Sequence, residues 1–115
     1  MEHYFTARVE LNNHDTDDYK LLHEELAKIS FFRAILADNN NWYDLPTGEY
    51  IRITENTLNE IRDILVKILK AFIARKPIND KGLAKSYEFL LGQSENLSIL
   101  LRENTDVSKR PKQFV

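Results

Sequence analysis

The sequence of 115 residues contains no cysteine. This absence excludes disulfide bonds, zinc sites built from thiolates, and thiol nucleophiles. No apolar run approaches the roughly 20 residues that a membrane-spanning helix needs. The first residues alternate between apolar and polar side chains and lack the basic and apolar regions of a secretory signal. We therefore expect a cytoplasmic protein that does not enter a membrane.

A large excess of charge of one sign is also missing, since sixteen Lys and Arg residues face eighteen Asp and Glu residues. Electrostatic binding of nucleic acid strengthens with each phosphate that is neutralised, so this balance argues against a general nucleic-acid coat protein but permits a local basic patch. What the chain does contain is 43% hydrophobic residues, as folded domains do. We expect one domain over residues 1–103 and a polar, flexible tail with a basic run over residues 104–115.

Two segments, residues 4–11 and residues 49–54, alternate with the period of a strand that is buried on one face. In the first segment, the row predicted to face the core is Phe5, Ala7, Val9 and Leu11. In the second, the side chains predicted to point inward are those of Ile51 and Ile53. Tyr50 and Arg52 are then expected on the outer face.

Two further strands are predicted from weaker patterns. Residues 31–37 form a short apolar run, for which a strand is the better interpretation. Residues 86–92 alternate as a strand does, yet the apolar residues between Leu83 and Leu91 also fit a helix closed by Gly92. We favour the strand. The segment from Leu97 to Leu101 has the same ambiguity.

Two segments have the spacing of an amphipathic helix. The first opens at Asp15 or Thr16, and its apolar stripe is Tyr19, Leu22, Leu26 and Ile29. The second opens at Asn56 or Thr57, where Thr57 and Glu60 have the spacing of a capping box. Its predicted buried residues are Leu58, Ile61, Leu65, Ile68 and Phe72. Pro77 ends this helix.

The predicted order is β-α-β-β-α-β. Two interleaved β-α-β units of this kind form a ferredoxin-like α+β fold, a four-stranded antiparallel sheet with both helices on one face. A C-terminal extension follows the last strand. Because one face of such a sheet has no helix over it, half-buried alternation in the strands is the pattern this fold needs.

Several short pieces between residues 4 and 54 match a family of small bacterial proteins. The pieces are Arg8-Val9-Glu10-Leu11, Asp18-Tyr19, Leu22-His23, Phe31, Arg33, Ile35, Asp38, Tyr43, Leu45-Pro46 and Glu49-Tyr50. On these residues the sequence resembles the family of GhoS, the antitoxin of type V toxin–antitoxin systems, which has a ferredoxin-like fold. The resemblance implies an endoribonuclease that cleaves a toxin messenger RNA. By fold alone, the chain is also similar to dimeric CRISPR-associated nucleases.

RNA cleavage without a metal needs a base for the 2′-hydroxyl, an acid for the leaving oxygen and a cation for the developing negative charge. The candidate catalytic residues are Arg33, Asp38 and His23, and His14 is a further available group. Each also has a structural interpretation: His23 lies at the edge of the helix's apolar stripe and makes a local hydrogen bond, Asp38 lies in a turn and Arg33 lies in an ion pair. A magnesium route would use carboxylates such as Asp38 and Asp44, but their spacing is not that of a metal motif, so no metal or cofactor is predicted.

The outer face of the predicted sheet provides the candidate RNA-binding residues Tyr4, Arg8, Tyr50 and Arg52. Aromatic rings with arginines on such a face stack unpaired bases and hold phosphates. Tyrosine and arginine are also enriched in protein interfaces, so the same face is equally suited to a homodimer. We therefore expect a GhoS-like regulator that binds RNA on this face, and the resemblance implies that it also cleaves RNA. The alternative is a non-catalytic module of the same fold that dimerises or binds a protein.

Overall fold

The computed structural model describes residues 3–36 and 39–94. The elements are β1 (His3–Asn12), α1 (Asp18–Lys28), β2 (Ala34–Leu36), β3 (Trp42–Asp44), β4 (Glu49–Thr54), α2 (Leu58–Arg75) and β5 (Ser86–Ser94). Two helices and antiparallel strands confirm the predicted α+β class, and β5 confirms the strand that was favoured near the C-terminus. Asp38, the segment Leu97–Leu101 and the tail over residues 104–115 lie outside the described residues.

The strands form two small sheets that are joined at one point. β1 lies in the middle of a three-stranded antiparallel sheet with the order β4-β1-β5, and β2 pairs with β3 in a two-stranded sheet. Phe32, just before β2, exchanges two backbone hydrogen bonds of 2.9 and 2.8 Å with Ile51 of β4. The arrangement is therefore three strands plus two, with β3 as an additional strand, where the sequence predicted a single sheet of four.

The core lies between the three-stranded sheet and the two helices. The four predicted inward residues of β1 are all buried, and they join Leu22 and Leu26 of α1 with Ile61 and Leu65 of α2 in one apolar cluster. Burying an aliphatic side chain of this size contributes about 1.5–3 kcal/mol relative to leaving it exposed. The alternating residues Thr6, Arg8 and Glu10 are exposed on the other face of the sheet, which is called the open face below.

The facing of β4 is the reverse of the prediction. Ala7 pairs with Tyr50 and Phe5 with Arg52, and paired residues of an antiparallel ladder point to the same face. Tyr50 is 0% exposed in the core, whereas Ile53 on the open face is 49% exposed. The prediction that the isoleucines point inward is wrong, because alternation gives the period of a strand but not which of its rows faces the helices.

The turn before β4 helps to set this register. Gly48 has a φ of +83°, and its carbonyl oxygen accepts a 2.7 Å hydrogen bond from the amide of Val9. A Cβ atom at this position would lie 2.8 Å from the carbonyl oxygen of Val9. Only glycine combines this backbone conformation with so close an approach of two chain segments.

The predicted N-terminal cap is confirmed for α2 but not for α1. In α2, the hydroxyl of Thr57 accepts a 3.2 Å hydrogen bond from the amide of Glu60, whose carboxylate accepts from the amide of Thr57 at 3.0 Å, so the capping box is confirmed. Leu58, predicted to be buried, is 40% exposed. In α1 the N-cap is Asp17, which makes no capping hydrogen bond through its side chain.

The loop between α2 and β5 is fastened to the loop between β1 and α1. The Asn79 side chain accepts hydrogen bonds from the amides of Lys81 and Leu83, and donates one of 3.0 Å to the carbonyl of Asn13. This end of the molecule is thus held by bonds between residues that are far apart in sequence. Within residues 3–36 and 39–94, neither helix is long and apolar enough to cross a membrane.

Candidate functional site

The four predicted RNA-binding residues do not lie on one surface. Tyr4 and Arg8 project from β1 on the open face, but Tyr50 and Arg52 project beneath the helices. An Nη1 hydrogen of Arg52 is donated to the carbonyl oxygen of Ile29 at the end of α1, so this guanidinium closes a helix end. The predicted set of two tyrosines and two arginines on one face is therefore wrong, for the same reason that the facing of β4 was wrong.

The strand registers show what the open face does carry. Three cross-strand rows follow one another, namely Ile53–Tyr4–Ser94, Ile51–Thr6–Gly92 and Glu49–Arg8–Leu90. Beyond them Glu10 pairs with Glu88. Ile51 is buried beside Phe32, whereas Ile53 is about half exposed and Leu90 is 73% exposed. The face therefore presents Ile53 and Tyr4 at one end and charged side chains around Leu90 at the other.

The charge of this face is negative. On β1, β4 and β5, the one cation that points to the open face is Arg8, and it is surrounded by Glu49, Glu10 and Glu88. An arginine among carboxylates is neutralised locally and is less available to a phosphate. A backbone of phosphates would also be repelled by the remaining negative charge. This distribution disfavours nucleic acid as the ligand of the face.

Two of the three predicted catalytic residues lie around Tyr50. The His23 ring centroid is 5.5 Å from that of Tyr50, in an edge-to-face arrangement, and 6.4 Å from that of Tyr19. Burial raises the pKa of the Tyr50 phenol well above its ordinary value, although the positive charge of Arg33 acts in the opposite direction. The third predicted catalytic residue, Asp38, lies outside the described residues.

The Tyr50 hydroxyl is buried and has no hydrogen-bond partner within residues 3–36 and 39–94. A phenol that is fully buried and held neutral is not available as a base, and a substrate cannot reach it in this conformation. The aromatic row continues outward through Tyr19, whose hydroxyl accepts a 2.9 Å hydrogen bond from the amide of Leu11, to His14 at 5.0 Å. The cluster packs α1 against β4 and does not form an open catalytic cleft.

The other predicted polar groups do not converge on a metal site. The Nδ1 atom of His14 lies 3.2 Å from the carbonyl oxygen of Leu11, and Asp44 is in β3 opposite Ala34. In the part of the chain that the structure describes, no three His, Asp or Glu side chains are grouped so that they could hold a metal ion.

Sequence reasoning missed a cluster of ion pairs at the fastened end of the sheet. The nearly buried ammonium of Lys85 lies 2.9 Å from a carboxylate oxygen of Asp18 and 3.1 Å from one of Asp15. Lys76 lies 2.8 Å from the same carboxylate of Asp15 and also pairs with Asp80. No local sequence pattern predicts these pairs, because the two partners are separated by more than 55 residues of sequence in every pair except Lys76–Asp80.

The ion pairs favour the charged forms of Asp15, Lys76 and Lys85 by shifting the pKa of each. A hydrogen bond from the backbone of Asp80, together with Lys76 and Lys85, lowers the pKa of Asp15 well below its ordinary value. Desolvation lowers the pKa of Lys85, but hydrogen bonds from its ammonium to Asp18 and Asp15 outweigh it, so the pKa is raised. A lysine that stays protonated is not a nucleophile. The cluster is therefore structural.

Comparison of the chain with protein-family models, with curated proteins and with solved structures gives no match.

Proposed function

We propose that this chain is a non-catalytic protein-interaction module that binds a protein partner on the open face of its sheet. The observation that carries the proposal is that, among residues 3–36 and 39–94, no helix lies over this face, where Ile53 and Leu90 are exposed beside three glutamates and one arginine of β1, β4 and β5. Exposed aliphatic side chains next to a charged rim are characteristic of protein interfaces. The glutamates favour a partner whose complementary surface carries lysine or arginine.

The topology that we propose for the chain is ferredoxin-like. The bridge between Phe32 and Ile51 supports it, because it places the segment leading into β2 beside β4 and extends the order to β5-β1-β4-β2. Both helices pack on the same face of β1, as that arrangement requires. In this fold the face without helices is the surface left for a partner.

The first test is to identify and titrate the partner. A photoreactive amino acid in place of Thr6, which is exposed at the centre of the open face, would cross-link whatever protein occupies that face in cells. The captured protein is then purified, and its affinity is measured by calorimetry. We expect Ile53→Lys to weaken binding about tenfold or more, because it places a cation among apolar contacts.

The matched control is Leu21→Lys on α1, since Leu21 is exposed to a similar extent, at 46%, but is not on the sheet. Its affinity should equal that of the wild type. If both variants lose affinity equally, or if Ile53→Lys loses none, then the partner does not bind through the open face.

The second candidate function is the RNA-cleaving antitoxin that the GhoS resemblance implies. The observation behind it is that two of its three predicted catalytic residues act on the same tyrosine, His23 by a ring contact and Arg33 by its charge, although this cluster is buried. The pure protein is incubated with a mixed RNA pool, with and without EDTA, beside His23→Ala and Arg33→Ala. Cleavage by the wild type that either substitution abolishes would establish this function and displace the first proposal. RNA binding that Arg33→Ala weakens while the fold is retained would establish RNA as the ligand and also displace the first proposal. We expect neither.

A further inference from the structure

The outer edge of β5 is an unpaired strand edge in the part of the chain that the structure describes. β1 has β4 on one side and β5 on the other, β4 is bridged to Phe32 on its far side, and β5 has only β1. β5 runs over nine residues, Ser86–Ser94, and its register with β1 is uninterrupted throughout. The part of this edge that the outward backbone groups occupy, over residues 87–93, is about 24 Å long at the rise of an extended strand.

The edge lacks the features that normally prevent strands from pairing with other chains. Natural edge strands are protected by proline, lysine, bulges or short length. Between Ser86 and Ser94 there is no proline, no lysine and no bulge, and Glu88 carries the one charge. Its side chains are also incompletely covered, since Tyr87, Phe89 and Leu91 are only half-buried on the helix side and Leu90 is exposed on the open face.

The hydrogen-bond pattern shows which backbone groups are free. Ile51 directs both its amide and its carbonyl away from β1, towards Phe32, and the amide of Val9 bonds to Gly48 on the β4 side. Since backbone groups alternate in direction along a strand, the even-numbered residues of β1 bond to β5. In β5, the partners Glu88, Leu90 and Gly92 therefore face inward. Tyr87, Phe89, Leu91 and Gln93 direct their amides and carbonyls to the free edge.

This edge is complementary to itself. If two β5 strands pair antiparallel about Leu90, then Phe89 lies opposite Leu91 of the other copy and Tyr87 lies opposite Gln93. All four outward residues pair with outward residues, which allows on the order of eight hydrogen bonds between the strands. Glu88 lies opposite Gly92, so the like charges are kept apart. Leu90 meets Leu90 of the other copy at the two-fold axis, where both become covered.

We propose that β5 pairs antiparallel with β5 of a second copy of this chain, in the register centred on Leu90, and joins two sheets into one. The interaction buries the half-covered row of Tyr87, Phe89 and Leu91 along with the backbone edge. It uses the edge of the sheet and covers Leu90, but it leaves Tyr4 and Ile53 of the open face accessible. It therefore does not rest on the partner proposed for that face. A dimer of this kind would present that face twice.

The test uses the absence of cysteine from the full chain. Leu90→Cys introduces a single thiol at the two-fold axis, in a pair without hydrogen bonds where the Cα atoms of facing residues are about 4.5 Å apart, which suits a disulfide. The control is Leu83→Cys, because Leu83 is also exposed, at 51%, but lies before β5 and far from the axis. In a glutathione redox buffer we expect rapid covalent dimerisation of Leu90→Cys and none beyond random collision for Leu83→Cys.

A second variant tests the backbone edge without touching the core. Gln93 is exposed and its amide points outward, so Gln93→Pro removes an edge donor but no hydrogen bond to β1. Since the symmetric pair loses the bond twice, we expect the dimer dissociation constant to rise about tenfold or more, while Gln93→Ala leaves it nearly unchanged. Light scattering of the wild type should give twice the 13.5 kDa of one chain.

Three results would overturn the proposal. The first is a wild type that remains monomeric, with Leu90→Cys cross-linking no faster than Leu83→Cys. The second is a dimer whose dissociation constant Gln93→Pro does not change, which would place the interface elsewhere. The third is slow hydrogen exchange at the amides of Phe89 and Leu91 that does not depend on concentration, because the edge would then be covered within one chain.

Discussion

At the scale of single residues, Tyr50 has the environment that sequence reasoning described least well. Its position in an alternating segment is correct, but its side chain belongs to the core beside His23 and not to a surface. Aromatic residues are common on both faces of strands, so the residue type does not decide the side. The pairing with Ala7 decides it, and pairing is a property of two segments that are distant in sequence.

We predict that Tyr50→Phe stabilises the protein by about 1 kcal/mol at neutral pH. The substitution removes a buried hydroxyl that has no hydrogen-bond partner among the described residues, and an unsatisfied buried donor costs about 1–3 kcal/mol. The free energy of unfolding in urea gives the measurement. A loss of stability of this size would instead mean that the hydroxyl is satisfied in solution.

A second residue-scale prediction concerns alkaline pH. Burial raises the folded-state pKa of Tyr50 above the unfolded value of about 10, so in alkali the unfolded chain releases this proton first. The ionisation of Tyr50 therefore leaves the free energy of unfolding unchanged below pH 10 and lowers it as the pH rises above that value. Unfolding experiments from pH 8 upward should show a steeper decline for the wild type than for Tyr50→Phe. Parallel curves would argue that Tyr50 titrates normally.

At the scale of elements, what can be predicted from the sequence depends on how local the determinants are. The capping box of α2 needs only Thr57 and Glu60, and it forms as predicted. The start of α1 is set differently, because the carboxylate of Asp18 accepts a hydrogen bond from the amide of Asp15 and pairs with Lys85 from beyond α2. A cap that is completed by a distant residue leaves no local signature.

The cap of α2 gives a stability prediction. Thr57→Ala removes the side-chain acceptor for the Glu60 amide and should lower the free energy of unfolding by about 0.5–2 kcal/mol. Thr16→Ala is the control, since Thr16 is an exposed threonine that precedes α1 and is not its N-cap. Its effect in chemical denaturation should be close to zero. An equal loss for both would indicate that the hydroxyl of Thr57 contributes nothing specific.

The turn at Gly48 gives the second prediction at this scale. Gly48 and Gly82 share a φ of +83°. A Cβ atom at Gly48 would lie 2.8 Å from the carbonyl oxygen of Val9, whereas one at Gly82 would have nothing within 4 Å. Gly82→Ala should therefore cost about 1 kcal/mol for the backbone conformation alone. Gly48→Ala should cost at least about 1 kcal/mol more, because β4 must move away from β1. Thermal or chemical unfolding compares the two, and equal losses would mean that the turn adapts without disturbing the register.

At the scale of the whole molecule, the sequence predicts the class and the order of the main elements, since these depend on periodicity and on Gly, Pro and capping residues. It does not predict that Tyr4 and Arg8 lie on the open face while Arg52 lies under the helices. That difference depends on the register between β1 and β4. The set of candidate RNA-binding residues depended on this register. Half of the predicted surface residues are on the expected face and half are in or beside the core.

The pairing of β1 with β5 joins residues 4–12 to residues 86–94, the first and last described strands. During translation, one flank of β1 therefore stays unpaired until residues 86–94 have been made. Domains dominated by such distant pairings fold slowly, and strands that wait for a partner are exposed to association with neighbouring chains. Early burial of β1 against α1 and β4 would then keep the nascent chain from associating with its neighbours until β5 has been made.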